Sequence, residues 1–560
     1  MHKFLSTIIL SAAAIGASAQ DMSTEITVDR TITTELPSAS PMRSVWPQMA
    51  DVPVSDKNLK MAEYGSAAVF SPMLAIDRPY VFSGIEPYDG KKGYLWAGYF
   101  PAYNLGAAFG YRFLDTEKAK VGVAMNFDGK SYNSSTATGI NHKVRSNIFG
   151  AQLYSTLRLT DIGELGIDAQ YSHAALKSPA YAGYAQPQGI NRARASAELK
   201  RHTDGISYDA GLYVRHTGTS DNILVPSAPG EYSGAVNGAS ETYFAAKGKV
   251  RTAMGEHAAA HMALDVDGLH SSGFEYGDGA FSETTRTTGI IGLTPGLEFR
   301  SGSFDIRLGV KLNLTLNGGN TFHIAPDVAI VNRWSSKMSI YAEFGGGERF
   351  NTLERLYQYS PFAPGFAIAA PSYTPVDARA GVRLGHFGGF TADVHAGYAS
   401  VHNVPMAAVA GDGLTSTFIP TDLSGWYAGL EAAYTTGRLL DAKASAKFYA
   451  KNYAAGNLAA PDRAKICLEA SVTAHPIDKL DIFASYRLRA CRSYYLVSPD
   501  GHSEVSMGNI SDLGIGADYA LTSSFGVFLH LDNLLGRKAG ILPGVSTQGF
   551  HGLAGVSVRF

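Results

Sequence analysis

Between Phe304 and Leu316 every even position is apolar, and the odd positions carry Asp305, Arg307, Lys311, Asn313 and Thr315.

The apolar row runs Phe304, Ile306, Leu308, Val310, Leu312, Leu314 and Leu316. Successive side chains of a strand point to opposite faces, so a period of two gives one apolar and one polar face. The end of the chain repeats the pattern. Phe525, Val527, Leu529 and Leu531 oppose Phe528, His530 and Asp532, and Phe550, Ala554, Val556, Val558 and Phe560 alternate with His551, Ser557 and Arg559. Such segments recur from Gly93 onward and predict about 22 strands, within the range of membrane barrels. The first two are near Gly93–Gly98 and Tyr103–Phe113, the middle includes Phe304–Leu316 and Lys337–Gly346, and the last two are Phe525–Asn533 and Thr547–Phe560.

The connections alternate as well. Short ones such as Gly255-Glu256, Ser301–Ser303 and Thr522-Ser523-Ser524 are interleaved with long ones at Gly218–Val236, Gly347–Tyr373, Val401–Thr421 and Cys491–Met507. Two long ones are missing from the scheme, at Asn317–Asn320 and near Pro101. Membrane barrels have short periplasmic turns and long outer loops. The expectation is therefore an all-β protein, a transmembrane antiparallel barrel over residues 93–560, with lipid outside, a watery lumen inside and both ends of the wall in the periplasm. Trp96, Trp334 and Trp426, near strand ends, suit the interfacial girdles.

Composition supports this. Charged residues make up 17% of the chain, against about 25% in soluble proteins, as a lipid-facing wall requires. A net charge of −2 gives no reason to expect nucleic acid. Lys3, the apolar Phe4–Ile15 and Ala17-Ser18-Ala19 read as a signal peptide over residues 1–19. Residues 20–92, dotted with Pro37, Pro41, Pro47 and Pro53, read as an extended periplasmic segment, a partial plug or a docking tail. Centring the turn between Pro476 and Ile477 puts Cys467 opposite Tyr486 and out of disulfide reach of Cys491, so both thiols are expected to be free.

Candidate chemistry is sparse. His257, His261, Asp265 and Asp267 share one strand face, but the two histidines are ~13 Å apart along a strand, too far for one ion. They read as a lumenal polar row. Glu343, Glu348, Arg349, Glu354 and Arg355 form the densest charge cluster. Asn351-Thr-Leu-Glu354 has capping-box spacing and predicts a short helix through Leu356 and Tyr357. Folded into the barrel mouth, Tyr357, Tyr359, Phe362 and Phe366 would bind ligand or form a lid; left outside, they would be an ordinary loop with packed aromatics. No catalytic, metal or cofactor-binding set stands at workable spacing, and an enzyme is not expected.

Leu531-Asp532-Asn533-Leu534-Leu535, followed by Pro543-Gly544 and Gly555-Val-Ser-Val-Arg-Phe560, resembles the end of TonB-dependent receptor barrels. Gly93-Tyr-Leu-Trp-Ala-Gly98 through Leu105-Gly106-Ala-Ala-Phe-Gly110-Tyr is similar to the barrel start in a Bacteroidetes group of these proteins, as is Glu25-Ile-Thr-Val-Asp-Arg30. The resemblance implies an outer-membrane transport role, a C-terminal assembly signal at Val556, Val558 and Phe560 read by the barrel assembly machinery, and a TonB or periplasmic lipoprotein partner reached through residues 20–92. Those receptors carry a folded plug of over a hundred residues, for which residues 20–92 are too few. Glu25–Asp29 reads either as a TonB-box-like strand or as a plain periplasmic strand. The alternative to transport is a structural or assembly component of an outer-membrane complex.

Overall fold

The computed structural model describes residues 91–560 apart from short internal segments, the longest being 178–187, 360–370 and 451–463. The predicted signal peptide and nearly all of segment 20–92 lie outside the described residues. One sheet holds 24 strands. Two of them, Arg492–Ser498 and Gly501–Met507, form a loop hairpin that touches the Phe390–Val409 strand at Ala408 and Val409. The other 22 form a closed antiparallel barrel. Closure comes from the Gly93–Phe100 strand, which pairs with His551–Arg559 from Tyr94↔Arg559 to Tyr99↔Ala554. An even count returns both ends of the wall to one rim, here called the turn end.

Alternation sets the faces as expected. On the Phe304–Leu316 strand, Leu308, Leu314 and Leu316 are exposed on the outside, whereas Asp305, Asn313 and Thr315 are buried on the inside. At the chain end Phe528, His530 and Asp532 are buried inside while Leu529 and Val556 are exposed. The His261, Asp265 and Asp267 row also faces inward; Asp265 and Asp267 line the interior cavity, and His261 Nδ1 lies 3.5 Å from Glu298 Oε1. Strands at the loop end are taller than a bilayer needs, reaching 20 residues in Ala258–Gly277 and 22 in Ala280–Ser301, against about 9–11 for a spanning strand. The short connections at Pro101–Tyr103 and after Asn317 are present, with left-handed backbone at Ala102, Tyr103 and Asn317.

Trp96 departs from expectation. It is 5% exposed and points into the lumen, packed with Tyr94, Ala108, Phe528 and Leu553, while Trp334 and Trp426 are exposed on the outside. The first strand is apolar on both faces, so its sequence has no polar row to set the phase. Its inward rings lie over glycines on the next strand. A Cβ at Gly110, which pairs with Tyr94, would sit 2.2 Å from Tyr94 Cε1, and one at Gly106 would sit 2.9 Å from Trp96 Cζ3. Gly110→Val is expected to lower stability by about 1–3 kcal/mol, the usual cost of overpacking. Urea unfolding of the refolded barrel measures it, and an unchanged midpoint would contradict the packing.

The cysteine register also differs. Cys467 faces Arg489, not Tyr486, because Pro476 and Ile477 remain in the strand and the turn falls at Asp478-Lys479 after an irregularity between Ala474 and Ile477. Cys491 lies just past the strand in a left-handed conformation, and neither Cys467 nor Cys491 is in a disulfide. The Leu531–Leu535 motif has a structural reason. Asn533, left-handed and buried, donates from its side-chain amide to Arg537 O and Gln548 O, while its N–H donates to Asp512. It thereby gathers the last loop, which reaches the wall through Ser134–Ser546 and Gln548–Asn104 contacts.

Candidate functional site

The Met338–Arg349 strand climbs to the loop end, and the chain then turns into the lumen. Phe350 packs with Leu269 and Ile290, four and three strands back along the wall, with Tyr243 beside it at 6.2 Å between ring centroids. The helix Leu353–Tyr359 follows. Its first turn is closed by Thr352, not by the expected Asn351–Glu354 capping box. Arg355 N–H donates to Thr352 Oγ1 at 3.4 Å and Leu356 N–H to Thr352 O at 3.0 Å. Asn351 instead anchors the base of the loop, where Ser372 Oγ donates to Asn351 Oδ1 at 3.0 Å, and the Asn403 amide donates to Pro371 O at 3.1 Å.

Glu354 is thereby released to reach across the lumen. One carboxylate oxygen lies 2.8 Å from Arg192 Nη1 and the other accepts from Arg215 Nη1. The wall carboxylate of Glu241 accepts from Leu353 N–H at 2.8 Å and lies 3.5 Å from Arg215 Nη2. An unsatisfied N–H at a helix start needs such an acceptor, and an anion there also meets the positive end of the helix. Arg192, Arg215 and Glu241 are all buried. Removing one partner from a buried ion pair costs about 3–5 kcal/mol, because the other charge is left without compensation. The helix is therefore latched to strands Gln188–Arg201, Ile206–Thr219 and Ser240–Ala253, far around the barrel from its own strand.

Beneath it lies a cavity of about 1200 Å³, roofed in part by Arg349, Phe350, Thr352 and Arg355. Its lining holds eight carboxylates and eight Lys or Arg side chains, so it carries no net charge and favours neither a cationic nor an anionic cargo by field alone. Many of these charges are matched wall to wall, as Arg307 with Asp327 at 3.3 Å and Arg379 with Glu343 at 2.5 Å. Among the described residues no group of three or more His, Cys, Asp or Glu side chains is placed to hold a metal ion.

Of the predicted lid residues, Tyr357 is 1% exposed, buried with Leu353 and Leu356. Tyr359 ends the helix, and Phe362 and Phe366 lie outside the described residues. Val556 and Phe560 are exposed on the outer face of the closing strand, and Val558 is half-buried there. Sequence reading missed Arg192, Arg215 and Glu241, which lie more than a hundred residues from the helix. A signal did exist: Leu269 and Ile290 are large apolar residues in inward rows otherwise made of small or polar ones, which marks a place where something packs.

No protein-family profile matches the chain, and no curated protein sequence does. Solved structures share its fold. The ferric enterobactin receptor PfeA of Pseudomonas aeruginosa superposes with a TM-score of 0.60 at 14% identity, over 84% of this chain and 80% of that one. The FrpB iron transporter of Neisseria meningitidis gives 0.63 at 12% identity over 84% and 81%. The siderophore receptor PirA of Acinetobacter baumannii gives 0.60 at 10% over 84% and 80%.

Proposed function

We propose that this chain is an outer-membrane barrel that moves a solute, with the loop end outside the cell and the turn end in the periplasm. The observation that carries this is the cavity under a helix latched across the mouth: a polar chamber inside an apolar wall, roofed in part at one end by a loop. The shared fold with an iron transporter and siderophore receptors supports it. A barrel of this size without a filling would leak, and barrels of 22 strands are plugged. The helix and its loop supply part of the filling, and residues 20–92 supply the rest. The same segment, which enters at the turn end where Lys92 N–H donates to Phe560 O at 2.8 Å, is the contact for a TonB-class energy-transducing partner or a periplasmic lipoprotein. A pull-down from native membranes tells these two apart.

Planar-bilayer recordings test the reading. The intact protein is expected to conduct poorly, and removal of residues 20–90, which spares the seam at Lys92, should raise conductance. Glu354→Gln in the truncated chain should raise it further. Steady wide-pore conductance from the intact chain would contradict the shared filling. A barrel that stays closed after both changes would favour a structural component of an outer-membrane complex instead.

A further inference from the structure

We propose that Arg192 and Arg215 form an anion seat on which a carboxylate or phosphate of the solute replaces Glu354, and that this exchange frees the helix from the wall. The inference rests on the transport reading and assigns the ligand chemistry of its site. With the helix in place, two guanidinium groups are matched by two carboxylates, Glu241 and Glu354. With the helix withdrawn, the compensation that Glu354 gives to both guanidinium groups is lost, while Glu241 stays with the wall. Guanidinium forks match the oxygens of carboxylate and phosphate in spacing and plane.

The Arg215 side of the seat is held in place without the helix. The Arg215 guanidinium lies 5.2 Å from the centre of the Tyr243 ring, and Tyr243 donates in turn to Asp267 at 2.5 Å. Arg215 Nε is buried with no hydrogen-bond partner among the described residues, a spare donor for an incoming anion. Arg215 and Tyr243 also line the cavity, so a solute there meets the Arg215 side of the seat directly. The Arg307–Asp327 and Arg379–Glu343 pairs join wall to wall, whereas Glu354 comes from the loop helix and not from the wall.

Competition gives the test. Citrate and pyrophosphate serve as probes on the purified full-length protein, with sodium chloride at matched ionic strength as control and heat-modifiability as the check on folding. Calorimetric titration of Glu354→Gln, which lacks the competing helix carboxylate, should show one of these anions bound about tenfold more tightly than by the unaltered protein, equivalent to about 1.4 kcal/mol. Adding Arg215→Gln should abolish the gain. In a second measurement, Leu353→Cys in a background carrying Cys467→Ser and Cys491→Ser should be slow to react with a charged thiol reagent, and that anion should speed the reaction severalfold. Equal affinities with and without Glu354, a gain that survives loss of Arg215, or an effect matched by sodium chloride would each overturn the proposal. A protein that binds through Arg215 yet never conducts solute keeps the seat and loses the transport reading; one that conducts yet ignores both anions does the reverse.

Discussion

Deletion of Phe560 is expected to cut the yield of folded barrel severely. Its carbonyl accepts from both Lys92 N–H and Gly93 N–H at 2.8 Å, and its N–H donates to Gly93 O at 3.0 Å. Its ring stacks against Phe109 and Tyr111 at 6.4 and 6.1 Å and covers Gly93, where a Cβ would sit 2.5 Å from the ring. Three hydrogen bonds at about 1 kcal/mol each give roughly 3 kcal/mol before the ring is considered. All of it falls on the seam that closes the wall, where an open edge has no other partner in lipid. We propose in addition that Val556, Val558 and Phe560 are the outward row read by the barrel assembly machinery. Phe560→Ala keeps the backbone bonds and loses only the ring, so it separates recognition from closure. Heat-modifiable protein in outer-membrane fractions is the readout, and unchanged yield for the deletion would refute both roles.

Leu308→Arg should cost about 2–4 kcal/mol, the price of a cation near the bilayer midplane, whereas Thr294→Arg should cost much less. Leu308 is 45% exposed on the outer face near the middle of its strand. Thr294, on the neighbouring strand, lines the polar cavity, where Arg307 and Lys311 already reside. Unfolding in lipid vesicles gives both values. Similar costs would mean that the facing is wrong by one residue, an error that turns every side chain to the other side.

The face assignment was legible because the wall separates two solvents. Lipid rejects charge and the lumen accepts it, so each strand from Phe304–Leu316 to Phe525–Asp532 records its orientation in its own residues. Where both faces are apolar that record is blank, and Trp96 was assigned to the wrong side for this reason. Turn position is similarly local but less constrained. Pro476 reads as a turn residue, yet it stays in the strand and moves the partner of Cys467 to Arg489.

Strand number, parity and the helix in the Gly347–Tyr373 loop were therefore set by local pattern, because period-two alternation and a helix start are written within a dozen residues. What the helix does was decided only by closure of the barrel. Glu354 meets Arg192 and Arg215 because a wall of 22 strands brings the Gln188–Arg201 and Ile206–Thr219 strands across the lumen from the Met338–Arg349 strand. No local periodicity encodes which inward-facing charges will oppose one another over that distance. Curvature and the path of one loop choose the partners, and burial then makes the choice energetically significant.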